Sequence, residues 1–302
     1  VANFQLENQA VRGRAARLGM GSVNEILNRH DYPPEAARML GEALTLAVLV
    51  GSSLKFDGRL TVQAEGDGPV RLMVAEYSTN GNLRGYLRLD EDKWTKLEKI
   101  NEGLGLPHPA QAFGKGVLTM TILQDNPNIQ PYQGIVPLDG RSLAECAEHY
   151  FMQSEQVPTR VRIAVGQIQK AGEEPVWQAG GALIQRIASD DTRGDTEDDW
   201  NTAEILFQSV YDSELLDPDL SVGRVLYRLF HERGVRFESP SPVQDACTCS
   251  PDRVFKTLKS MPDETLIEMA AEDNTDQLKV VCQFCGRKSF IPLKDVLTST
   301  VQ

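Results

Sequence analysis

The sequence predicts an α+β fold: a mixed α/β amino-terminal domain with an antiparallel-rich sheet, a helical linker, and a small four-cysteine zinc domain at the carboxy-terminal end. Three observations carry that reading. Alternating apolar runs separated by turn residues fill residues 1–187, interrupted by isolated helical stretches rather than by regular strand–helix alternation. Residues 188–238 switch to apolar stripes at helical spacing and carry most of the net charge. Within 239–302, four of the five cysteines form two close pairs, Cys247-Thr248-Cys249 and Cys282-Gln283-Phe284-Cys285.

In the first domain, Pro34 suits an opening helical turn, and Met39, Leu40, Ala43, Leu44, Ala47, Val48 and Leu54 recur at helical spacing. A helix over 34–54 is expected. Leu60, Val62 and Ala64 alternate, Gly66-Asp67-Gly68-Pro69 turns, and Val70, Leu72 and Val74 alternate again. Asn80-Gly81 is a hairpin turn into a strand over 83–89. Further strands are expected at 117–123, 132–136, 161–168 and 177–187. Between them, 142–153 reads as a helix with Ser142 as N-cap and Glu145 completing a capping box. Phe113-Gly114-Lys115-Gly116 lacks the rest of a phosphate-binding loop and reads as a turn into a strand. His30, His108 and His231 read as surface or helix-end residues, and Cys146 as a small buried side chain.

Over residues 189–220, eleven acidic residues stand against one basic residue, Arg193, so this span carries −10 of the net charge of −12. Residues 189–195 read as a solvated connection. Trp200, Ala203, Phe207 and Val210 then share one helical face. Val222, Leu226, Leu229 and Phe230 share another, capped by Ser221 and ended by Gly234. Helices this short need a partner surface for their stripes. Repulsion among the acids, relieved by Arg224, Arg228, Arg233 and Arg236, is expected to keep that docking under strain.

In the third domain, 250–258 and 263–271 read as helices, Val280-Val281 as a strand into Cys282, and Phe290-Ile291 as its return. Nine acids and seven bases leave the segment nearly balanced, without the basic face that phosphate binding needs. Nucleic acid is not an expected partner. The longest apolar run, 43–54, is too short for a membrane span, so no membrane partner is expected either. Residues 1–17 show no secretory pattern, and an odd cysteine count favours reduced thiols and a cytoplasmic location.

Cys247, Cys249, Cys282 and Cys285 offer the four sulfur ligands of one tetrahedral Zn²⁺ site. A module with so few large apolar side chains needs such a staple. Thiolates are also readily oxidised, so the same residues can both hold the module and sense oxidants. Two other readings compete. A thiol–disulfide oxidoreductase would use Cys282 and Cys285 but lacks a thioredoxin-like context. A zinc-ribbon nucleic-acid binder would need clustered basic and aromatic residues around the cysteines. His149 and Ser154 lack a nucleophile elbow, and no catalytic constellation is found, so the chain is not expected to be an enzyme.

Several segments carry a family likeness: Asn8-Gln9-Ala10-Val11-Arg12-Gly13, His30-Asp31-Tyr32-Pro33, Leu54-Lys55-Phe56-Asp57-Gly58-Arg59-Leu60-Thr61 and Gly66-Asp67-Gly68-Pro69-Val70-Arg71. Tyr132-Gln133-Gly134-Ile135-Val136-Pro137-Leu138 and Glu148-His149-Tyr150-Phe151-Met152-Gln153-Ser154-Glu155-Gln156 extend it, with Pro158-Thr159 behind. With the order Cys-x-Cys, 32 residues, Cys-x-x-Cys, the chain resembles the redox-regulated 33 kDa heat-shock chaperones over nearly its whole length. The resemblance implies an ATP-independent holdase that is inactive when reduced and bound to one Zn²⁺ per chain. Oxidation would pair Cys247 with Cys249 and Cys282 with Cys285, release the metal and unfold the linker. The apolar surface so exposed, here Trp200, Phe207, Val210, Leu226, Leu229 and Phe230, would hold unfolding client proteins, with a homodimer as the active form. One departure stands out: the family often has an aromatic residue four positions after the last cysteine. Here that position is Ser289, followed by Phe290, so the last strand is expected to pack differently.

Overall fold

A computed structural model describes residues 1–7, 10–104, 107–140, 142–188, 196–272 and 275–297. The chain forms two units, Val1–Asp245 and Ala246–Gln302. The first opens with β1 (Ala2–Leu6), β2 (Val11–Leu18), α1 (Val23–Leu27), α2 (Pro34–Gly51), β3 (Gly58–Glu65), β4 (Val70–Ser78) and β5 (Asn82–Leu89). It continues through α3 (Glu91–Asn101), α4 (Pro109–Phe113), β6 (Val117–Gln124), β7 (Tyr132–Pro137), α5 (Leu143–Tyr150) and a π-helical turn, Phe151–Glu155. It closes with β8 (Thr159–Ile168), β9 (Val176–Arg186), α6 (Glu197–Gln208), α7 (Asp212–Leu216), α8 (Val222–Phe230), β10 (Val235–Phe237) and β11 (Gln244–Asp245). The second unit holds α9 (Pro251–Lys259), α10 (Asp263–Glu272), β12 (Gln277–Val281), β13 (Lys288–Pro292) and α11 (Leu293–Val296).

Two sheets organise the first unit, in the orders β10-β1-β2-β9-β8 and β11-β5-β4-β3-β6-β7. Pairing is antiparallel except for β11, which lies parallel to β5. Helix α2 contacts strands of both sheets, and its predominantly apolar sequence is buried along most of its length. It ends at Gly51, three residues before the expected Leu54, because Ser52 and Ser53 turn their hydroxyls onto the carbonyls of Leu49 and Val50. At the Asn80-Gly81 turn, Gly81 has φ +90°. Gly114, with φ +66°, ends α4 and leads into β6, as expected of a turn rather than a phosphate loop. His108 is the N-cap of α4.

The sequence patterns missed β1, β2, α1, α3, α4, α7, β10, β11 and α11. In β2 the apolar alternation is hidden, since Arg12, Arg14 and Arg17 are spaced among glycine and alanine. Gly13 is needed there, because a Cβ would meet the Phe4 ring and the Leu183 carbonyl. The helix expected over 142–153 starts as foreseen, with Ser142 Oγ accepting from Glu145 N–H at 3.2 Å. It stops being an α-helix at Tyr150 and widens into the π turn, ended by Gln156 at φ +56°.

Helices α6, α7 and α8 lay their stripes on the five-stranded sheet. Trp200, Phe207, Val210, Leu226, Leu229 and Phe230 are all buried there with Phe4, Leu6, Val11 and Ile184. Ser221 caps α8, and Gly234, at φ +70°, closes the turn after it. Position offsets part of the expected electrostatic repulsion. Glu197, Asp198 and Asp199 open α6, and Asp212 and Glu214 open α7, where the helix dipole favours negative charge. Of the four arginines expected to relieve the acids, Arg228 pairs with Glu214 at 2.6 Å. The sheet supplies further anchors: Arg160 pairs with Glu204 at 2.6 Å, and Arg17 donates to the carbonyls of Glu214, Leu215 and Leu220. The acidic stretch 189–195 lies outside the described residues.

The second unit has a thin core of Leu258, Leu266, Ala270, Leu278, Ile291 and Val296. The register pairs Val280 with Ser289 and Lys279 with Phe290. Ser289 therefore shares a strand face with buried Ile291, while Phe290 points the other way and is 59% exposed. Phe290 does not substitute for an aromatic side chain at position 289.

Candidate metal centre

Local structure brings each cysteine pair into position. Cys247 and Cys249 lie in the irregular stretch between β11 and α9, with Thr248 between them. Helix α9 starts immediately afterwards, with Ser250 Oγ accepting from Arg253 N–H at 3.2 Å and Pro251 in the first turn. Cys282 and Cys285 occupy the turn between β12 and β13. There the Cys282 N–H donates to the Arg287 carbonyl at 2.9 Å, and the Gly286 N–H to the Cys282 carbonyl at 2.8 Å. Gly286, at φ +68°, permits the tight reversal.

The four sulfur atoms all lie within 4.8 Å of one another. Cys247 Sγ is 3.8 Å from Cys282 Sγ, and Cys249 Sγ is 3.3 Å from Cys285 Sγ. Zinc–sulfur bonds of about 2.3 Å imply tetrahedron edges of about 3.8 Å, so this donor set fits a tetrahedral ion. All five cysteines are free thiols, and Cys146 is fully buried in α5. Desolvation first, then hydrogen bonding with Cys285, Cys247 and Cys282, pushes the Cys249 thiol up to about 12. Neighbouring thiols resist ionising together unless a cation compensates, and a divalent cation reverses that tendency. A tetrathiolate around Zn²⁺ carries net negative charge. Two guanidiniums are placed nearby: Arg253 Nη1 donates to the Thr248 carbonyl at 3.1 Å, and Arg287 Nη1 to the Cys249 carbonyl at 3.3 Å.

Of the residues singled out in the sequence, the four cysteines come together in this cluster. Trp200, Phe207, Val210, Leu226, Leu229 and Phe230 come together elsewhere, as one buried patch on the five-stranded sheet. The sheet half of that patch went unnoticed, although Phe4 and Leu6 alternate in the sequence. Also unnoticed was the outer surface of the same helices, where Ile205, Tyr211 and Tyr227 are exposed.

Comparison with known proteins follows the same path through the chain. The family model described as "Hsp33 protein" matches residues 1–291, a span that includes all four clustered cysteines. The 33 kDa chaperonin of Caulobacter vibrioides (strain NA1000 / CB15N) is 48% identical over 287 residues, covering 95% of this chain and 92% of the relative. That of Shigella flexneri serotype 5b is 35% identical over 293 residues, covering 97% and 93%. Among solved structures, the crystal structure of the Thermotoga maritima 33 kDa chaperonin (Heat shock protein 33 homolog) aligns with a TM-score of 0.76 at 25% identity. That alignment covers 98% of this chain and 95% of the other. From the first β-strand to the hairpin that carries the last cysteine pair, the chain belongs to the Hsp33 family.

Proposed function

We propose that this chaperone is a cytoplasmic, ATP-independent holdase that oxidation switches on, and that Cys247, Cys249, Cys282 and Cys285 hold one Zn²⁺ in the reduced state. One observation carries the reading: four sulfurs at tetrahedral spacing lie in a unit whose described residues include six buried in its core. Bound Zn²⁺ supplies on the order of 10–16 kcal/mol of apparent folding free energy in such modules. The relatives' chaperonin names agree with a non-enzymatic role.

Oxidation joins Cys247 to Cys249 and Cys282 to Cys285. Each thiolate pair gives up two electrons as its S–S bond forms, and one peroxide takes up those electrons and two protons to leave as two waters. Disulfide sulfurs no longer serve as thiolate ligands, so the second unit loses its staple. The pairing is the one the resemblance to the family implies; in the reduced structure the cross-pair neighbours Cys247–Cys282 and Cys249–Cys285 are also close.

The division proposed is a client-binding and dimerisation domain over 1–187, a metastable linker over 188–238 and a switch domain over 239–302. The strap just before the first cysteine pair is held by the first domain. Asp245 pairs with Arg29 and donates its N–H to the Gly21 carbonyl, and Cys247 follows two residues later. Loss of order beyond Ala246 frees this strap, then α8 and its neighbours. Trp200, Phe207, Val210, Leu226, Leu229 and Phe230 then leave the sheet, and both halves of the patch offer apolar surface to unfolding clients. The active form is a homodimer; neither nucleic acid nor membrane is a partner.

Peroxide with mild heat tests this, with zinc release and client light scattering read together. One zinc per chain should be released as aggregation of a thermally unfolding client is suppressed. An oxidised, zinc-free sample that suppresses no aggregation ends the proposal. Insulin reduction would point instead to an oxidoreductase, and salt-dependent DNA or RNA binding to a zinc ribbon.

A further inference from the structure

Between the two sheets of the first unit, near the end of α2, lies a cavity of about 190 Å³. Arg12, Arg14 and Gln185 reach it from the five-stranded sheet, and Leu60, Met120 and Ile122 from the six-stranded one. Arg14 is only 8% exposed. Among the described residues its guanidinium has one side-chain acceptor, Gln185 Oε1 at a long 3.4 Å, and no ion pair. Arg12 stands two residues along the same strand face and forms no ion pair among the described residues. Burial first, then repulsion from Arg12, lower Arg14 to about 10, with Glu238 offsetting part of the effect. A buried guanidinium carries five donors, and leaving them without an anion is costly. Among the described residues, no carbonyl at the end of α2 accepts from Arg14.

A second observation marks the same place. Phe151 and Glu155, which also line the cavity, belong to the π-helical turn, and that turn ends at Gln156 with φ +56°. Gln156 is the only non-glycine residue with positive φ among the described residues. Single π turns and left-handed non-glycine residues are costly local structures that concentrate at functional sites. Glu155 is held by the hydroxyls of Tyr132, at 2.8 Å, and Tyr150, at 3.4 Å.

We propose that this cavity binds a small carboxylate on a short apolar body. The guanidiniums of Arg12 and Arg14 take the carboxylate, and Met120, Ile122 and Phe151 take the apolar part. Two sources share that chemistry: a short-chain fatty acid, and the terminal carboxylate of a peptide ending in an apolar residue. Only the peptide adds an N–H for Glu155 to accept.

The test uses the full-length, reduced, zinc-loaded protein, labelled with ¹⁵N. Hexanoate, hexanamide, N-acetyl-leucine, N-acetyl-leucinamide and inorganic phosphate are each titrated in. Saturable shifts are expected at Val11–Ala15 and Phe151–Gln156 with the two carboxylates, and binding about tenfold weaker or worse with the amides. Arg14→Gln should weaken carboxylate binding about tenfold or more, Arg14→Lys should largely retain it, and exposed Arg12→Gln should weaken it less. Should Arg14→Gln fail to fold, Arg12→Gln and the acid–amide comparison carry the test. Tighter binding of N-acetyl-leucine supports the site and assigns it to peptide termini; tighter hexanoate supports it and assigns a fatty acid. No saturable carboxylate binding, equal binding of acid and amide, or phosphate binding as tight as hexanoate overturns the proposal.

Discussion

Helix α2 buries fourteen of its eighteen residues among the two sheets, whereas the described residues of the second unit rest on six buried side chains and a sulfur cluster. Apolar transfer at about 25 cal/mol per Å² is ample for a core of the first kind. A module as small as the second gains too little from burial to offset its chain entropy and needs a ligand as a staple. On the proposed function, the difference explains why oxidation would act first on the second unit while the α2 core stays folded. Cysteine chemistry is coupled to stability only where stability depends on cysteines.

The largest effect that sharpens this contrast is metal removal. Chelation of a zinc-loaded sample should abolish amide protection in α9, α10 and the β12–β13 hairpin, a loss on the order of 10–16 kcal/mol, while α2 stays protected. Hydrogen exchange reads both regions at once, and simultaneous loss in α2 would break the comparison. Next comes the linker patch. Phe207→Ala removes a fully buried ring and should cost about 3–5 kcal/mol of docking, seen as faster exchange in α6 to α8 with zinc content unchanged. In the main core, Leu44→Ala should cost about 2–5 kcal/mol in denaturant unfolding of the first unit, again with zinc content unchanged.

A pH effect of intermediate size separates α2 from the linker. Burial, and then the nearby Asp212 of α7, push the Glu42 carboxyl up to about 7, with Arg38 opposing. The folded state thus holds this proton more tightly than the unfolded chain, where an ordinary carboxyl titrates near 4.5. Its contribution to stability is full below about pH 4.5 and is lost as pH rises through about 7, a change of roughly 1–3 kcal/mol. Chemical unfolding across pH 4 to 8 should show this slope, and Glu42→Gln should flatten it. The smallest effect concerns charge. Asp198→Asn and Asp199→Asn should each destabilise α6 by about 0.3–1 kcal/mol and hasten linker release, because these acids sit at a helix start. Slower release would restore self-repulsion as the dominant effect.

Local pattern was enough for α2, for the β3–β4–β5 hairpins, for the caps at Ser142 and Ser221, and for the metal-ligand character of the cysteine pairs. Each depends on residue spacing or donor type, properties that neighbouring residues carry with them. Where a stripe lands is a different kind of information. Tertiary structure decided that Trp200, Phe207 and Phe230 cover β1, β2 and β9, that β2 hides its arginines among small residues, and that the helix after Ser142 widens at Phe151. It also decided that Ser289 shares a face with Ile291 while Phe290 faces out. Spacing determines which residues share a face, but the surface that covers that face comes from other segments, some, like β1 and β2, nearly two hundred residues away.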